Sequence, residues 1–469
     1  MHFERLEKRD MLAVPPSLSM LEVPKEQSTY GLTGTGYAVA IIDTGIDQNN
    51  PAFAGRIIDG WNFITNTSDF TDDNGHGTHV AGIIGSHDQN FPGIAPDVNL
   101  VILKVLDKTG TGTFDNVNKA LEWIHVHAKQ DNIVAVNMSF GDGNFQTGNV
   151  TISDNDLKAL ATDNIFMAAA AGNSFFADAS KPGLAYPASS QYVVSVGAVW
   201  NGEYGPADWA NGAKDFVTYP DKIASFTQRD TDLDLLAPGA YVISTYLNDS
   251  FAALAGTSMA SPMVAAEAVL VKQAMDKAGR QQDILSLLQK TGVSVNDADL
   301  GQDNVIHTGL TFQRIDVFNA IDSILHDLPT PDEKFVTNLY LQVLDRQVDA
   351  GGLSYWTQLL ATSISRFEIS AAIWSSAEHQ QILQSADYFY ELLGRDPEPS
   401  ASQYFNSIDR SKAVDIIMES PEYIRHLYEQ LLGREPGDSE INYWINSKLN
   451  PNLISELFLS SQEFYDSGV

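Results

Sequence analysis

Five short, almost wholly apolar runs punctuate residues 29 to 327: Ala38 to Ile42, Leu100 to Leu106, Ile133 to Met138, Ile165 to Ala170 and Val193 to Val199, with helical patterns between several of them. Runs that are apolar on both faces suit strands covered on both sides. Their alternation with helices predicts an α/β unit built on a parallel sheet with helices on both faces. Chemistry on such a sheet gathers outside the C-terminal ends of its strands, where Asp43, Gly141 and Asn173 fall. The 469 residues exceed what one hydrophobic core usually organises, so a further unit is expected.

Gly256-Thr257-Ser258-Met259-Ala260-Ser261-Pro262 leads directly into the apolar helical pattern Met263 to Met275. Proline is accepted in the first turn of a helix, where its missing N–H is not needed, and this places Ser258 at a helix N-terminus. Unpaired backbone N–H groups and the positive end of the helix dipole there can stabilise an anion formed on an attacked carbonyl. Alone, such a serine is an ordinary helix cap. Two other segments change its meaning. Tyr37 to Ile42 ends in Asp43-Thr44-Gly45, a carboxylate at a strand edge, and Asn74-Gly75-His76-Gly77-Thr78-His79-Val80-Ala81-Gly82 sets an imidazole between glycines at a helix start. A hydroxyl nucleophile needs a base of near-neutral pKa and a carboxylate to orient that base.

On these motifs, in the order Asp, His, Ser, the chain resembles the subtilisin-like serine proteases. The resemblance implies a parallel-sheet, three-layer catalytic domain in which Ser258 attacks the scissile carbonyl, His76 takes and returns the proton, and Asp43 fixes the imidazole tautomer. Asn173, in Gly172-Asn173-Ser174 after Met167 to Ala171, resembles the family's oxyanion-hole asparagine, acting with the backbone N–H of Ser258. Gly110-Thr111-Gly112 and Ser139-Phe140-Gly141 resemble the two segments between which an extended peptide lies. Ala168 to Gly172 are expected to wall the primary pocket and Ala185 to lie near its base, which implies a large apolar or permissive residue before the cut. The implied function is serine endopeptidase action through an acyl-enzyme on protein or peptide substrates. The alternatives are a catalytically silent interaction protein on the same fold, or an esterase using the same triad.

Other polar residues have structural readings. His79, His125 and His127 are expected to be structural, and Asp47, Asp72 and Asp73 to cap turns or hold a cation. No cofactor is required for this catalysis. Subtilisin-like proteases often carry structural calcium on a loop after the histidine helix; here Gly85 to Phe91 is short and poor in matching oxygen ligands, so calcium is allowed for but not assigned.

The chain has no cysteine, which excludes disulfides and thiolate chemistry, and a formal charge of −32 argues against nucleic acid as a partner. No apolar run has the length of a membrane span. Met11 to Val14, stopped by Pro15-Pro16, is too short for a cleaved secretory signal. Phe3 to Ala13 nevertheless resembles a short element at the start of some bacterial exported or surface proteins, and a secreted or cell-surface location is expected. The catalytic unit also starts too early to leave room for the family's inhibitory prodomain.

After a linker at 328–334 the pattern becomes helical and repetitive over 335–469. Tyr340 to Arg346 corresponds to Phe389 to Arg395 and Tyr428 to Arg434, followed by the pairs Tyr355-Trp356, Tyr404-Phe405 and Tyr443-Trp444. Ser376 to His379, Ser420 to Tyr423 and Ser461 to Phe464 read as recurring helix starts. These repeats resemble a helical domain of unassigned function on bacterial exported proteins, itself similar to phycobilisome linker repeats. An all-α repeat unit is expected, with its aromatics packed between helices, and its resemblance implies binding to a surface or export partner.

Overall fold

A nine-stranded sheet runs in the order Val293–Asn296, Thr311–Arg314, Leu235–Ala240, Val194–Trp200, Phe166–Ala170, Ile133–Met138, Ala38–Asp43, Asn99–Lys104 and Ile57–Asn62. Every neighbouring pair is parallel except the antiparallel edge strand Val293–Asn296. From Ala38–Asp43 the chain passes to Asn99–Lys104 on one side and then to Ile133–Met138 on the other. That reversal opens a crevice at the C-terminal end of the first strand, beside Asp43. This computed structural model describes residues 4–6, 15–146, 154–298, 301–326 and 330–467 apart from 363, 384–387, 396, 398–400, 402–403 and 406. It divides into two units, Met1–Asp327 and Leu328–Val469.

Helices cover both faces of the sheet. Phe114–Asp131 buries Val117, Ala120, Leu121 and Ile124 against Ala38, Ala40, Ile42, Val136 and Met138, with Leu157 and Leu160 of Asn155–Thr162 in the same core. The long helix Thr257–Ala278 is buried over most of its length and packs on five of the central strands, with His76–Gly85 beside it. The expected strands appear with ends shifted by a residue or two. Leu235–Ala240 was not anticipated, because Pro238 and Gly239 interrupt its apolar run. The sheet accommodates them with a register shift between Pro238 and Ala240.

Residue 29 is not where packing begins. Helices Pro16–Met20 and Val23–Thr29 bury Leu18, Leu21 and Val23, while Arg314 and Val317 donate to the carbonyls of Met20 and Leu21. Strand Glu4–Leu6 pairs antiparallel with Ser250–Leu254. Phe3 and residues 7–13 of the expected N-terminal element lie outside the described residues. No helix among the described residues is long and apolar enough to cross a membrane.

His79 is a structural clasp. Its Nε2 donates to the carbonyls of Val242 and Ala252, at 3.1 and 3.0 Å, and so joins the two strands of the hairpin that leads to Ser258. Burial pushes its pKa down to about 3. The unfolded chain therefore binds a proton that the native state refuses, and this contribution to stability is lost progressively as pH falls from about 6.5 towards 3. Urea unfolding of His79→Asn is expected to show a lower baseline stability but a flatter dependence on pH across that window than the parent protein. Equal pH slopes would contradict this assignment.

In the second unit, Pro331–Lys334, expected as linker, form the first turn of helix Pro331–Leu344. Thr330 and Glu333 close a capping box there, and Pro331 is suited to the first helical position. Residues 327–329 lie outside the described residues. Each repeat arginine reaches the glutamate of a following helix start: Arg346 to Glu378, Arg395 to Glu422 and Arg434 to Glu463. These pairs are exposed and specify register more than they stabilise. Only the second aromatic of each pair packs inward: Trp356, Phe405 and Trp444 lie against the core, Trp356 and Trp444 donating from Nε1 to the Tyr340 and Tyr428 hydroxyls at 3.0 and 3.1 Å, whereas Tyr355, Tyr404 and Tyr443 are exposed, contrary to expectation. Phe464 meets Phe335 edge-on, and Tyr465 donates to Asp332 at 2.9 Å, so the last helix closes onto the first.

Candidate active site

Asp43 ends its strand almost fully buried, and its Oδ1 accepts hydrogen bonds from Thr44 N and His76 Nδ1, both at 2.7 Å. His76 opens the helix His76–Gly85, and the turn before it is built around Asp72. Asp72 Oδ1 accepts from Thr44 Oγ1, Asn74 N and Gly75 N, while Oδ2 accepts from the backbone and hydroxyl of Thr78. One carboxylate thus ties the residue after Asp43 to the turn that carries His76. Burial disfavours its charge, but the donors from Gly75, Thr78 and Asn74 outweigh burial and hold its pKa below the usual carboxylate value. Gly75 has φ of 103°, and a Cβ there would lie 2.3 Å from the Tyr246 ring, so glycine is required.

Burial likewise works against charge on His76. The neighbouring Asp43, by charge and hydrogen bond, with Asp72 behind it, overcomes this and raises the imidazole pKa above 6.5. Asp43 accepting at Nδ1 leaves Nε2 of the neutral ring as the proton acceptor. Asp47 accepts backbone N–H groups of Asn49 and Asn248, and Asp73 pairs with Lys104 at 2.8 Å. These flanking aspartates therefore serve the chain itself. In the loop after the helix, Asp88 accepts from Asn90 N and Phe91 N, and no group of three or more His, Cys, Asp or Glu suited to a metal occurs among the described residues. Those side chains fall short of the six to eight oxygens that calcium takes, and no step depends on it.

Ser258 is the second residue of helix Thr257–Ala278, and Pro262 sits in the second turn rather than the expected first. The missing N–H of Pro262 would have bonded the carbonyl four residues back, that of Ser258. Ser139 Oγ replaces it, donating to Ser258 O at 2.7 Å. Asn137 holds Ser139 at 2.9 Å and accepts from Ser261 Oγ at 2.7 Å. Because Met138 lies opposite Ile42 in the sheet, this network brings the Ser258 turn towards the end of the Asp43 strand. The Ser258 hydroxyl has no hydrogen bond among the described residues, and a base contact that tightens with substrate is common for such sites.

Asn173 Oδ1 accepts from Thr257 N at 2.9 Å and Thr257 Oγ1 at 3.1 Å, and the threonine oxygen accepts from Gly172 N at 3.2 Å. A Cβ built on Gly256 would lie 3.4 Å from Asn173 Nδ2 and 3.7 Å from Ser258 N, so both donors border one small space. Thr257 and Asp72 were not given these roles by sequence, although each lies inside or beside a recognisable motif.

The turn Gly110 to Gly112 is exposed, pinned by Asp107, and tied to the histidine turn by Asn74 Nδ2 donating to Lys108 O at 3.0 Å. Ser139, Phe140 and Gly141 follow strand Ile133–Met138; the Ser139 hydroxyl is occupied by the nucleophile helix. Gly141, Gly172 and Ala185 converge: a Cβ on either glycine would lie within 3.0 Å of Ala185 Cβ. Ala168 does not join them. It lies inside its strand, paired with Asn137 and Val194, and is buried, as are Ala169 to Gly172 after it.

The model of the subtilase family, Peptidase S8, matches residues 34–309, more than half of the sequence. The chain belongs to the subtilase family. Subtilisin DY of Bacillus licheniformis is 33% identical over 287 residues, covering 61% of this subtilase and 93% of its relative. The thermostable alkaline protease of Halalkalibacterium halodurans is 32% identical over 304 residues, covering 64% and 74%. A solved cold-adapted subtilisin-like serine proteinase is 28% identical, covering 56% of this chain and 84% of its own, with a TM-score of 0.44. The family match and the two curated relatives make the subtilase a serine-type endopeptidase. Residues 327–383 match a domain of unknown function, DUF4214.

Proposed function

We propose that this subtilase cleaves peptide bonds through Ser258, His76 and Asp43, with Asn173 and the Ser258 N–H as oxyanion donors. The observation that carries the proposal is the buried Asp43–His76 bond at 2.7 Å, set at the sheet edge to which Ser139 tethers Ser258. His76 Nε2 takes the Ser258 proton as Oγ bonds to the scissile carbon, and the carbonyl electrons move onto oxygen between the two donors. Collapse breaks the C–N bond, the leaving amine takes the proton from His76, and water, deprotonated by the same ring, later releases the acyl group.

The peptide lies extended between Gly110-Thr111-Gly112 and Ser139-Phe140-Gly141. The side chain before the cut meets Gly141, Gly172 and Ala185, a small uncharged surface suited to a large apolar or permissive residue. We assign peptidase action to about 29–327 and an accessory role, binding a surface or export partner, to 335–469. A secreted or cell-surface setting belongs to the same proposal.

A fluorophosphonate should label Ser258 in the folded protein, alongside release of peptides from casein; absence of both would sink the proposal. Asn173→Ala should lower kcat by about 10² to 10³, a magnitude that comes from subtilisin itself rather than from these distances. KM and melting temperature should change little. Wild-type turnover in that variant would remove Asn173 from the mechanism.

A further inference from the structure

Between strand Val194–Trp200 and Lys222 the chain makes an excursion around two short paired segments, Ala207–Asp208 and Lys214–Asp215. No chemical role follows from its sequence. Its tip, however, reaches Asn173: Asn211 Nδ2 donates to the Asn173 main-chain oxygen at 2.6 Å. The amide of Asn211 faces this way because its Oδ1 accepts from Ala213 N at 3.0 Å.

We propose that Asn211 is a positioning residue for Asn173, making the excursion 201–222 a working part of the oxyanion site. This rests on the role given to Asn173 above. Asn173 is exposed, so packing does not immobilise its side chain, while the backbone on either side is held by Gln228, whose N–H donates to Gly172 O at 2.9 Å and whose Oε1 accepts from Ser174 N at 3.3 Å. Asn173's own two oxygens are each held in addition. Thr257 holds the side-chain oxygen and Asn211 holds the main-chain oxygen, and together they fix where Nδ2 points. A donor must be preorganised to stabilise charge as it forms, which is what the second anchor supplies.

The excursion has a rigid base. Trp209 donates from Nε1 to Asp215 Oδ2 at 2.8 Å and packs edge-on against Phe226, whose carbonyl accepts from Phe175 N, two residues past Asn173. Asp215 is buried against Lys222, which also donates to Asp303 at 2.9 Å. Asn304 accepts from Lys214 N at 2.7 Å and donates to Gly212 O at 3.0 Å, gripping both sides of the tip. Asn211 therefore stands on an ion-paired foundation, the kind of support that keeps a site in register.

Asn211→Ala is expected to lower kcat on a peptide substrate by about tenfold, because small misplacements of a catalytic donor are costly. KM and melting temperature should stay at wild-type values. Asn211→Asp, which keeps the Ala213 bond but sets a carboxylate oxygen against the Asn173 carbonyl, should lose more. In an Asn173→Ala background, Asn211→Ala should cost nothing further. Wild-type kcat in both single variants, losses that multiply with that of Asn173→Ala, or a loss that tracks a fall in melting temperature would each overturn the proposal. If Asn173→Ala itself keeps full turnover, the oxyanion reading fails instead.

Discussion

Ser258→Ala is expected to lower kcat by about 10⁶ while leaving the fold intact; the size is known for subtilisin and is not computed from this geometry. The physical reason is that nucleophile and base act as one unit. Without Oγ, His76 has no proton to accept, and only oxyanion donors and substrate binding remain to favour attack by water. The double variant Ser258→Ala/His76→Ala should therefore be no slower than either single variant. Hydrolysis of a chromogenic peptide at high enzyme concentration reads both values. Independent, multiplying losses would mean that the two side chains do not serve the same proton transfer. Loss of the hydroxyl should leave melting temperature nearly unchanged, since it makes no hydrogen bond among the described residues.

Asp43→Asn should cost about 10⁴ in kcat, because an amide can donate to Nδ1 and stabilise the wrong tautomer of His76. It should also move the pH profile in a defined direction. Activity requires the neutral imidazole, and the Asp43 carboxylate favours the charged one, so kcat/KM should fall in acid through a midpoint above 6.5 in the parent protein. Removing the carboxylate charge should shift this midpoint down. Profiles measured with one substrate over the same pH range would test this; an unmoved midpoint would place the titrating group elsewhere.

The parallel sheet was legible because its signals are local, and the same holds for the three proposed triad residues: an apolar run, a turn glycine or a helix start lies beside each. Where a second segment supplies the meaning, the sequence was mute. Leu235–Ala240 looked unlike a strand because Pro238 and Gly239 are tolerated only through a shift in pairing. Pro262 seemed to demand a first-turn position, since nothing local announces that Ser139, far away in the chain, replaces the bond it forgoes. Asp72 read as one of several turn acids until its bonds to Thr44 and Thr78 gave it a particular task. Thr330 and Glu333 read as linker until their mutual bonds made them a helix start.

The bond from Ser139 to the carbonyl of Ser258 also has a mechanical meaning. The ledge against which a peptide would rest and the backbone that carries the attacking hydroxyl are fastened to each other by one direct bond. A displacement of that ledge would carry the Ser258 main chain with it, while the hydroxyl keeps its own rotation about the Cα–Cβ bond.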